Sequence, residues 1–466
     1  MRKTIVLLSL VIVLSLFLAA CGGKNTTDTT PVPTEPAATD TPTPTNTPTP
    51  TEQFRDLGGM TVIIGDTFSG PGWDNPYNDY STAFFDMLHS AEAKYNFKID
   101  KKTVGNWGPE FADRIKISAE DNNPTASVYS LDVRFALSLI QSHSLLDISG
   151  ITSVDWNDEK WNNAVKELMT FNGKVYGFST GTAPGSGLYF NKGILAELGI
   201  DPNLPYDLQK EGKWSWEEFE KLCAQVSVDK NGDGKKDYYA LAGLSFDFVS
   251  GILLSNGTYL VTKDANGVFK ENADAPETIA ALEFIRALNA NGYVMSKPDN
   301  SMWDWDKGAF INGTSAFIVG ITSETYNYQN VDYGFVCFPY GPSVGHCVNI
   351  NASGGNVFVL TNCEKTKAEA EDIFFAMDWY TTGPEGFDGT EQQLKSYNLK
   401  DARATETLRM MITDCPEVVS PSVLFSDISN MWFMVDLTKG SSVQEALAPC
   451  LGKLSEMVSE INSKLQ

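Results

Sequence analysis

The chain has 466 residues, 42% of them hydrophobic and 11% aromatic, with 59 Asp and Glu against 35 Lys and Arg for a formal net charge of −24. A body so acidic is repelled by nucleic acid and by anionic lipid surfaces, which excludes nucleic-acid binding. The composition is that of a soluble globular protein, too long for one hydrophobic core and suited to two lobes.

Met1-Arg2-Lys3 supply positive charge, Ile5 to Ala20 an apolar run of about 16 residues, and Leu18-Ala19-Ala20-Cys21 a small-residue cleavage site. The run is shorter than the roughly 20 residues a spanning helix needs, which disfavours an uncleaved transmembrane anchor. The pattern resembles a bacterial lipobox. That resemblance implies a lipoprotein signal peptide over 1–20 and acylation of Cys21, with palmitate among the acyl chains. The mature chain is then extracytoplasmic, lipid-anchored to the outer face of the cell membrane. Residues 21–54 turn to Thr and Pro, as in Thr41-Pro42-Thr43-Pro44, and are expected to form a disordered, partly extended tether.

Met60 to Gly65 reads as a strand. A helix follows on Ala83, Phe84, Met87, Leu88 and Ala91, ending near Asn96, and then a strand through Ile99 and Val104. Phe111, Ile115 and Ala119 mark a second helix, Ser127 to Ser130 a strand, and Phe135, Leu139 and Ile140 a third helix. Such alternation predicts an α/β fold with a parallel or mixed sheet covered by helices. Ligands on such sheets sit at the carboxyl ends of the strands, where Asp66, Tyr129 and Asp132 fall. Ser215 and Glu218 make a capping box for the next helix. Further helices read at 275–289, 367–380 and 442–465. Beyond Cys21 there are six cysteines, in a compartment that permits disulfides; none has CxxC spacing and the pairing is left open.

Several phrases together resemble the extracellular sugar-binding proteins of ABC importers, the group that includes maltose-binding protein. They are Asn172-Gly173-Lys174-Val175-Tyr176-Gly177-Phe178, Leu188-Tyr189-Phe190-Asn191-Lys192, Trp214-Ser215-Trp216-Glu217-Glu218-Phe219, the loop 229–239, Phe310 to Phe317, and Asp332-Tyr333-Gly334-Phe335. The resemblance implies a two-lobe periplasmic-binding-protein-like fold with a hinge and an interlobe ligand cleft. It places 55–180 and 330–388 in the first lobe and 181–329 and 389–466 in the second. Crossings are expected at 179–183, at 322–332 and near 386–393. The implied function is capture of a sugar or oligosaccharide by a monomer and its delivery to ABC transporter permease subunits, without chemistry.

Sugar recognition needs flat apolar surfaces for the ring faces and polar groups that replace water at the hydroxyls, because an unpartnered buried hydroxyl costs on the order of 1–3 kcal/mol. Of ten tryptophans, Trp73 and Trp107 sit in Gly/Asn-rich loops, where core packing has the least hold. Trp303-Asp304-Trp305-Asp306 alternates ring and carboxylate before a helix; a helix start capped by Asp304 is the competing reading. Thr182 lies in the first crossing, Thr322 and Glu324 beside the second, and Ser353-Gly354 offers backbone for close approach, or a plain turn.

Asp229, Asn231, Asp233, Lys235 (through its carbonyl) and Asp237 follow the spacing of an EF-hand-type calcium loop with Gly234 at position 6. Position 12 is Ala240, so the bidentate carboxylate must come from elsewhere, with the 216–220 helix as the expected source. The alternatives are a structural Ca2+ and an ion-free turn. No other cofactor is expected. With three histidines and no HExxH, GxSxG or phosphate loop, the remaining functional alternatives are a surface glycoside hydrolase using a carboxylate pair and an adhesin without a small ligand.

Overall fold

The computed structural model describes residues 55–298, 304–351, 354–397, 399–425, 437 and 442–465, excluding the side chains of 322–324. The signal peptide, Cys21 and the tether lie outside the described residues, as do Trp303, Ser353 and Trp432.

Alternation of buried and exposed positions fixes β1 (Met60–Asp66), in which Val62 and Ile64 are wholly inside. The helix α1 (Asp79–Tyr95) opens on a capping box in which Asn78 accepts from the Ser81 N–H and the Ser81 hydroxyl accepts from the Asn78 N–H. It buries Phe85, Leu88, Ala91 and Tyr95 and stops at Asn96, which is left-handed at φ 55°. The chain continues through β2 (Phe97–Thr103), α2 (Pro109–Glu120), β3 (Val128–Asp132), a 3-10 turn at Val133–Phe135, α3 (Ala136–Gln141), α4 (Asn163–Leu168) and a small hairpin of β4 (Thr170–Phe171) and β5 (Lys174–Val175).

A second sheet follows. Its first strand, β6 (Gly187–Asn191), is buried along its whole length. After α5 (Lys192–Glu197), α6 (Leu204–Lys210) and α7 (Trp216–Val226) come β7 (Tyr239–Ala242), α8 (Phe246–Ser255), the hairpin β8 (Val261–Lys263) and β9 (Phe269–Glu271), α9 (Pro276–Ala290), β10 (Val294–Met295), α10 (Trp305–Ile311), β11 (Ser315–Gly320) and β12 (Tyr333–Val336). The chain then runs through β13 (Asn349–Asn351), β14 (Asn356–Val359), α11 (Glu364–Thr381), α12 (Gly389–Ser396), α13 (Ala402–Thr413), β15 (Glu417–Val419) and α14 (Val443–Lys464).

The first sheet has the order β14-β3-β1-β2, with β14 antiparallel to β3; the second is β10-β7-β11-β6-β12, with β6 antiparallel to both neighbours. One boundary differs from the sequence expectation. Residues 330–336 were placed in the first lobe, yet β12 pairs with β6 from Tyr333↔Asn191 to Val336↔Leu188 and so belongs to the second sheet. The return to the first sheet comes between β13 and β14. A plain turn before residue 332 and a lobe crossing look alike in sequence, and only the strand pairing separates them.

Three segments join the sheets. Phe178 bridges Phe358 and Ser186 bridges Ile350, both antiparallel, so the ends of the first crossing lie against β13 and β14, while β15 lies parallel to β13. Asn349 is fully buried among them. Its amide accepts from the Gly185 N–H at 2.7 Å and donates to the Ala183 carbonyl at 2.9 Å, and its own N–H reaches the Pro416 carbonyl. Glu417 accepts from Asn162 at 2.8 Å and from Asn351 at 2.9 Å. A buried polar group persists only where it is satisfied, and these two stitch all three crossing segments together.

Beside this hinge the β8–β9 hairpin grips the first lobe. Lys263 donates to the carbonyls of Glu167, Leu168 and Thr170 at 2.6–2.8 Å, capping the carboxyl end of α4. The Asn172 N–H donates to the Asn266 carbonyl, and Gly267, at φ 81°, lies against Phe171, where an added Cβ would fall 2.9 Å from the Phe171 Cα.

Candidate functional site between the two sheets

The hinge strands enter both sheets at the edge where the parallel strands end, because β14 and β6 run against their neighbours. That common edge carries the chemistry. On the first sheet it holds Asp66, Thr103, Asp132 and the turn after it.

Trp107, in the loop between β2 and α2, is 60% exposed. Its ring meets Phe135 edge-on at 5.6 Å and has the Arg134 guanidinium over it, Cζ 5.2 Å from the centroid. Asp132 holds Arg134 with two side-chain contacts, Nε to Oδ1 at 2.9 Å and Nη2 to Oδ2 at 2.7 Å, and also caps the Arg134 N–H at 3.0 Å. The carboxylate raises the Arg134 pKa above its ordinary value, so the cation is permanent. An exposed indole flanked by a fixed cation and carboxylate offers both an apolar plate and hydrogen-bonding groups. Phe68, 67% exposed in the loop after β1, adds a second ring at the same edge.

Other candidates have structural duties. Tyr129 is 1% exposed and its hydroxyl accepts from the Thr125 and Ala126 N–H groups, so it is core, not cleft. Asp66 is fully buried; its carboxylate accepts from the Phe68 and Ser69 N–H groups and from the Ser69 hydroxyl. It shapes the loop and has no oxygen turned to solvent. Trp73 is half-buried, packed on Phe85 and Tyr380 at 5.7 and 6.4 Å. It forms one wall of a depression of about 530 Å³ shared with Ser69, Asp74, Asp100, Lys101 and Thr103, with the Lys101 ammonium 5.9 Å from its ring.

On the second sheet the same edge carries Trp305, half-buried at the start of α10, with its ring against Gly243 at the end of β7. An added Cβ on Gly243 would fall 2.9 Å from that ring. Asp304 precedes α10 without a side-chain capping bond, so the competing reading of a capped helix start lacks its cap. Burial pushes the neighbouring Asp306 carboxyl up. Thr322 and Glu324 lie on the 3-10 helix after β11, and their side chains fall outside the described residues. Ile321 and Tyr326 beside them are 48% and 71% exposed. Thr182 is half-buried in the first crossing. Gly354 packs on Val133 and Val423 and gives its N–H to Asn351, so it serves a close approach of hinge to turn. Sequence reasoning passed over Arg134, Phe68, Asn349 and Glu417; the Asp-x-Arg spacing at a strand end was the available signal for the first.

The 229–237 loop is closed by its own amides. Asp229 accepts from the Gly232 and Gly234 N–H groups, Asn231 from Asp233, Asp233 from Lys235, and Asp237 from Lys230. Among the described residues no three carboxylate, His or Cys groups converge as a cation site. Glu217 and Glu218 of the helix expected to complete the shell pair with Lys221, and Glu220 accepts from Asn291. Asp229, Asn231, Asp233 and Asp237 thus share one turn, while the carboxylates of the helix expected to complete a shell are engaged by Lys221 and Asn291.

Two α/β sheets joined by a multi-strand hinge, with solvent-facing rings and fixed charges along the shared edge, define a two-lobe binding protein. The family model of bacterial extracellular solute-binding proteins matches residues 87–390, and the chain belongs to that family. Similar solved structures include a maltose-binding periplasmic protein of Listeria monocytogenes in complex with maltose (16% identity, 86% of this chain and 98% of that one, TM-score 0.56). Others are the cyclic α-maltosyl-1,6-maltose binding protein of Arthrobacter globiformis (16%, 88% and 98%, 0.54) and a B. animalis ABC transporter associated binding protein with β-1,6-galactobiose (14%, 86% and 98%, 0.52). At these identities the likeness is one of fold. A search of curated protein sequences finds no match.

Proposed function

We propose that this solute-binding protein captures a sugar or oligosaccharide between its lobes and passes it to the permease subunits of an ABC importer, without transforming it. The observation that carries the reading is Trp107, an exposed indole held beside the Arg134–Asp132 pair at the hinge-side edge. A ring face stacks on the indole while the charged groups take hydroxyls; micromolar affinity, about −8 kcal/mol, is within reach of a few such contacts. The β-1,6-galactobiose and maltose complexes among proteins of the same fold support the choice of ligand class.

The Cys21 motif and the Thr/Pro run support a mature form tethered by lipid at the outer face of the membrane. Among the described residues no helix is long and apolar enough to cross a membrane. Calorimetry of residues 55–466 against mono- and oligosaccharides tests the ligand class. Saturable binding of an intact sugar supports it; release of cleaved product points to the hydrolase, and silence across neutral sugars points to the adhesin. Cys21→Ser tests the anchor, with release of the chain into the medium as the expected result.

A further inference from the structure

The hinge brings together three thiols far apart in sequence. Cys337 follows the last residue of β12 and is fully buried, with its N–H on Gln209 at 2.8 Å and its carbonyl accepting from Trp214 at 2.8 Å. Cys347 and Cys415 each lie two residues before the paired strands β13 and β15, in the same register as Asn349↔Glu417, and both are half-buried. Val336 pairs with Leu188 and Ile350 bridges Ser186, and an added Cβ would meet the Val336 carbonyl at Gly187 and the Ile350 carbonyl at Gly185, so Cys337 lies beside the root of β13, where its thiol interacts with those of Cys347 and Cys415. All three are free thiols in the structure, in a family that works outside the cytoplasm, where thiols meet disulfide oxidants.

We propose that Cys337, Cys347 and Cys415 form a thiol–disulfide exchange site at the base of the hinge, with Cys337 as the shared partner. Cys415 is the entry point: it is half-buried where Cys337 is fully buried, and the adjacent Cys337 thiol holds its pKa below the ordinary thiol value. The oxidant is a small-molecule or protein disulfide. The Cys415 thiolate attacks one of its sulfurs, forming a mixed disulfide and releasing one thiol. Cys337 then loses its proton and attacks the Cys415 sulfur, breaking the mixed bond and releasing the second thiol. Two protein thiols are oxidised and one disulfide is reduced to two thiols. Attack by Cys347 on Cys337 moves the bond to Cys337–Cys347 and returns Cys415 to the thiol, with no net redox change. Either bond ties the end of the second sheet to the root of a hinge strand.

The other three cysteines serve as internal controls. Cys223 and Cys450 are buried on helices; burial pushes the Cys363 thiol up and the hydroxyls of Thr366 and Thr361 bring it below its ordinary value, but it is 4% exposed and its sulfur's neighbours are those two threonines, not a second thiol.

The test treats the mature chain with oxidised glutathione, blocks remaining thiols under denaturing conditions, and maps disulfide-linked peptides by mass spectrometry. The expected product is one bond per molecule, Cys337–Cys415 or Cys337–Cys347, with Cys223, Cys363 and Cys450 still blocked as thiols, and a melting temperature a few degrees above that of the reduced form. Cys347→Ser should leave Cys337–Cys415 alone, and Cys415→Ser should slow oxidation at least tenfold. Cys337→Ser should stop at a glutathione adduct on Cys415; if that buried variant does not fold, the two other variants decide alone. Six intact thiols after treatment, or bonds spread over the control cysteines, would overturn the proposal. The readout involves no sugar, so its failure is separate from any failure of the binding reading.

Discussion

Arg134 lies over the face of Trp107, 5.2 Å from the ring centroid, while Asp132 occupies its Nε and Nη2 donors. The indole therefore has two fixed neighbours, Arg134 over its face and Phe135 edge-on, and leaves most of its surface to solvent. Because it is 60% exposed, Trp107→Ala removes little core packing. Sugar affinity is expected to fall about tenfold, the equivalent of roughly 1.4 kcal/mol for one lost aromatic contact, with the melting temperature within a degree of wild type. Calorimetry and differential scanning fluorimetry on the same preparation separate the two effects.

Trp73 behaves differently. Its ring is wedged against Phe85 and Tyr380, joining α1 to the end of α11. Trp73→Ala is expected to cost about 2–3 kcal/mol of stability, below the range for a fully buried ring because Trp73 is half-exposed. Urea denaturation measures this. An unchanged midpoint with reduced sugar affinity would return Trp73 to the binding surface.

The two tryptophans show what the sequence disclosed and what it hid. Local pattern gave the elements: Ala83, Phe84, Met87, Leu88 and Ala91 predicted α1, and the short apolar run Met60 to Gly65 predicted β1. Both tryptophans lie in Gly/Asn-rich loops, a local property, whereas what they touch depends on residues 380 and 135, one distant and one near. Tyr129 fell at a strand end and was read as ligand-facing; its hydroxyl instead satisfies the Thr125 and Ala126 amides. Asp132 was picked out by position, but its partner Arg134 was not. The second-lobe membership of β12 and the convergence of Cys347 with Cys415 rest on strand register between segments about 140 and about 70 residues apart, which no local pattern encodes.

Lys263 supplies the lobe-to-lobe grip beside the hinge. Lys263→Met keeps the apolar stem but leaves the carbonyls of Glu167, Leu168 and Thr170 without their donor. Orphaned acceptors of this kind predict a loss of about 2 kcal/mol. Hydrogen exchange should rise first in 163–172 if the contact works as described. A uniform rise across the whole chain would count against a local clasp.

Acid should act through Asp401. Burial pushes its carboxyl up, but the Lys192 ammonium at 2.5 Å, the Arg403 N–H and the Tyr206 hydroxyl outweigh this and hold its pKa below the ordinary value. A carboxyl depressed in the native state contributes stability above its unfolded pKa of about 3.9 and loses that contribution as pH falls through the lower native value. Lys192→Met removes the ion pair and should cost about 2–3 kcal/mol at pH 7. The gap between variant and wild type should narrow below about pH 4, as Asp401 takes up a proton in both. A gap that is constant from pH 7 to pH 3 would assign the loss to packing alone.

The loop at 229–237 makes a sharper case, because its spacing resembles a calcium site while its side-chain oxygens accept from the loop's own amides. Asp229 is held below the usual carboxylate range by the Gly234 N–H and then by the other amides of the turn, so its charge is already engaged. A cation would compete with those amides for the same oxygens, and the carboxylates of the nearby helix are paired with Lys221 or bonded to Asn291. Asp229→Ala is therefore expected to lower the melting temperature by the same amount in 1 mM CaCl2 and in EDTA, because the lost contacts are to protein N–H groups. If calcium instead raises the melting temperature of the wild type and Asp229→Ala abolishes the rise, the loop binds the ion, and the amides of Gly232 and Gly234 only preorganise it.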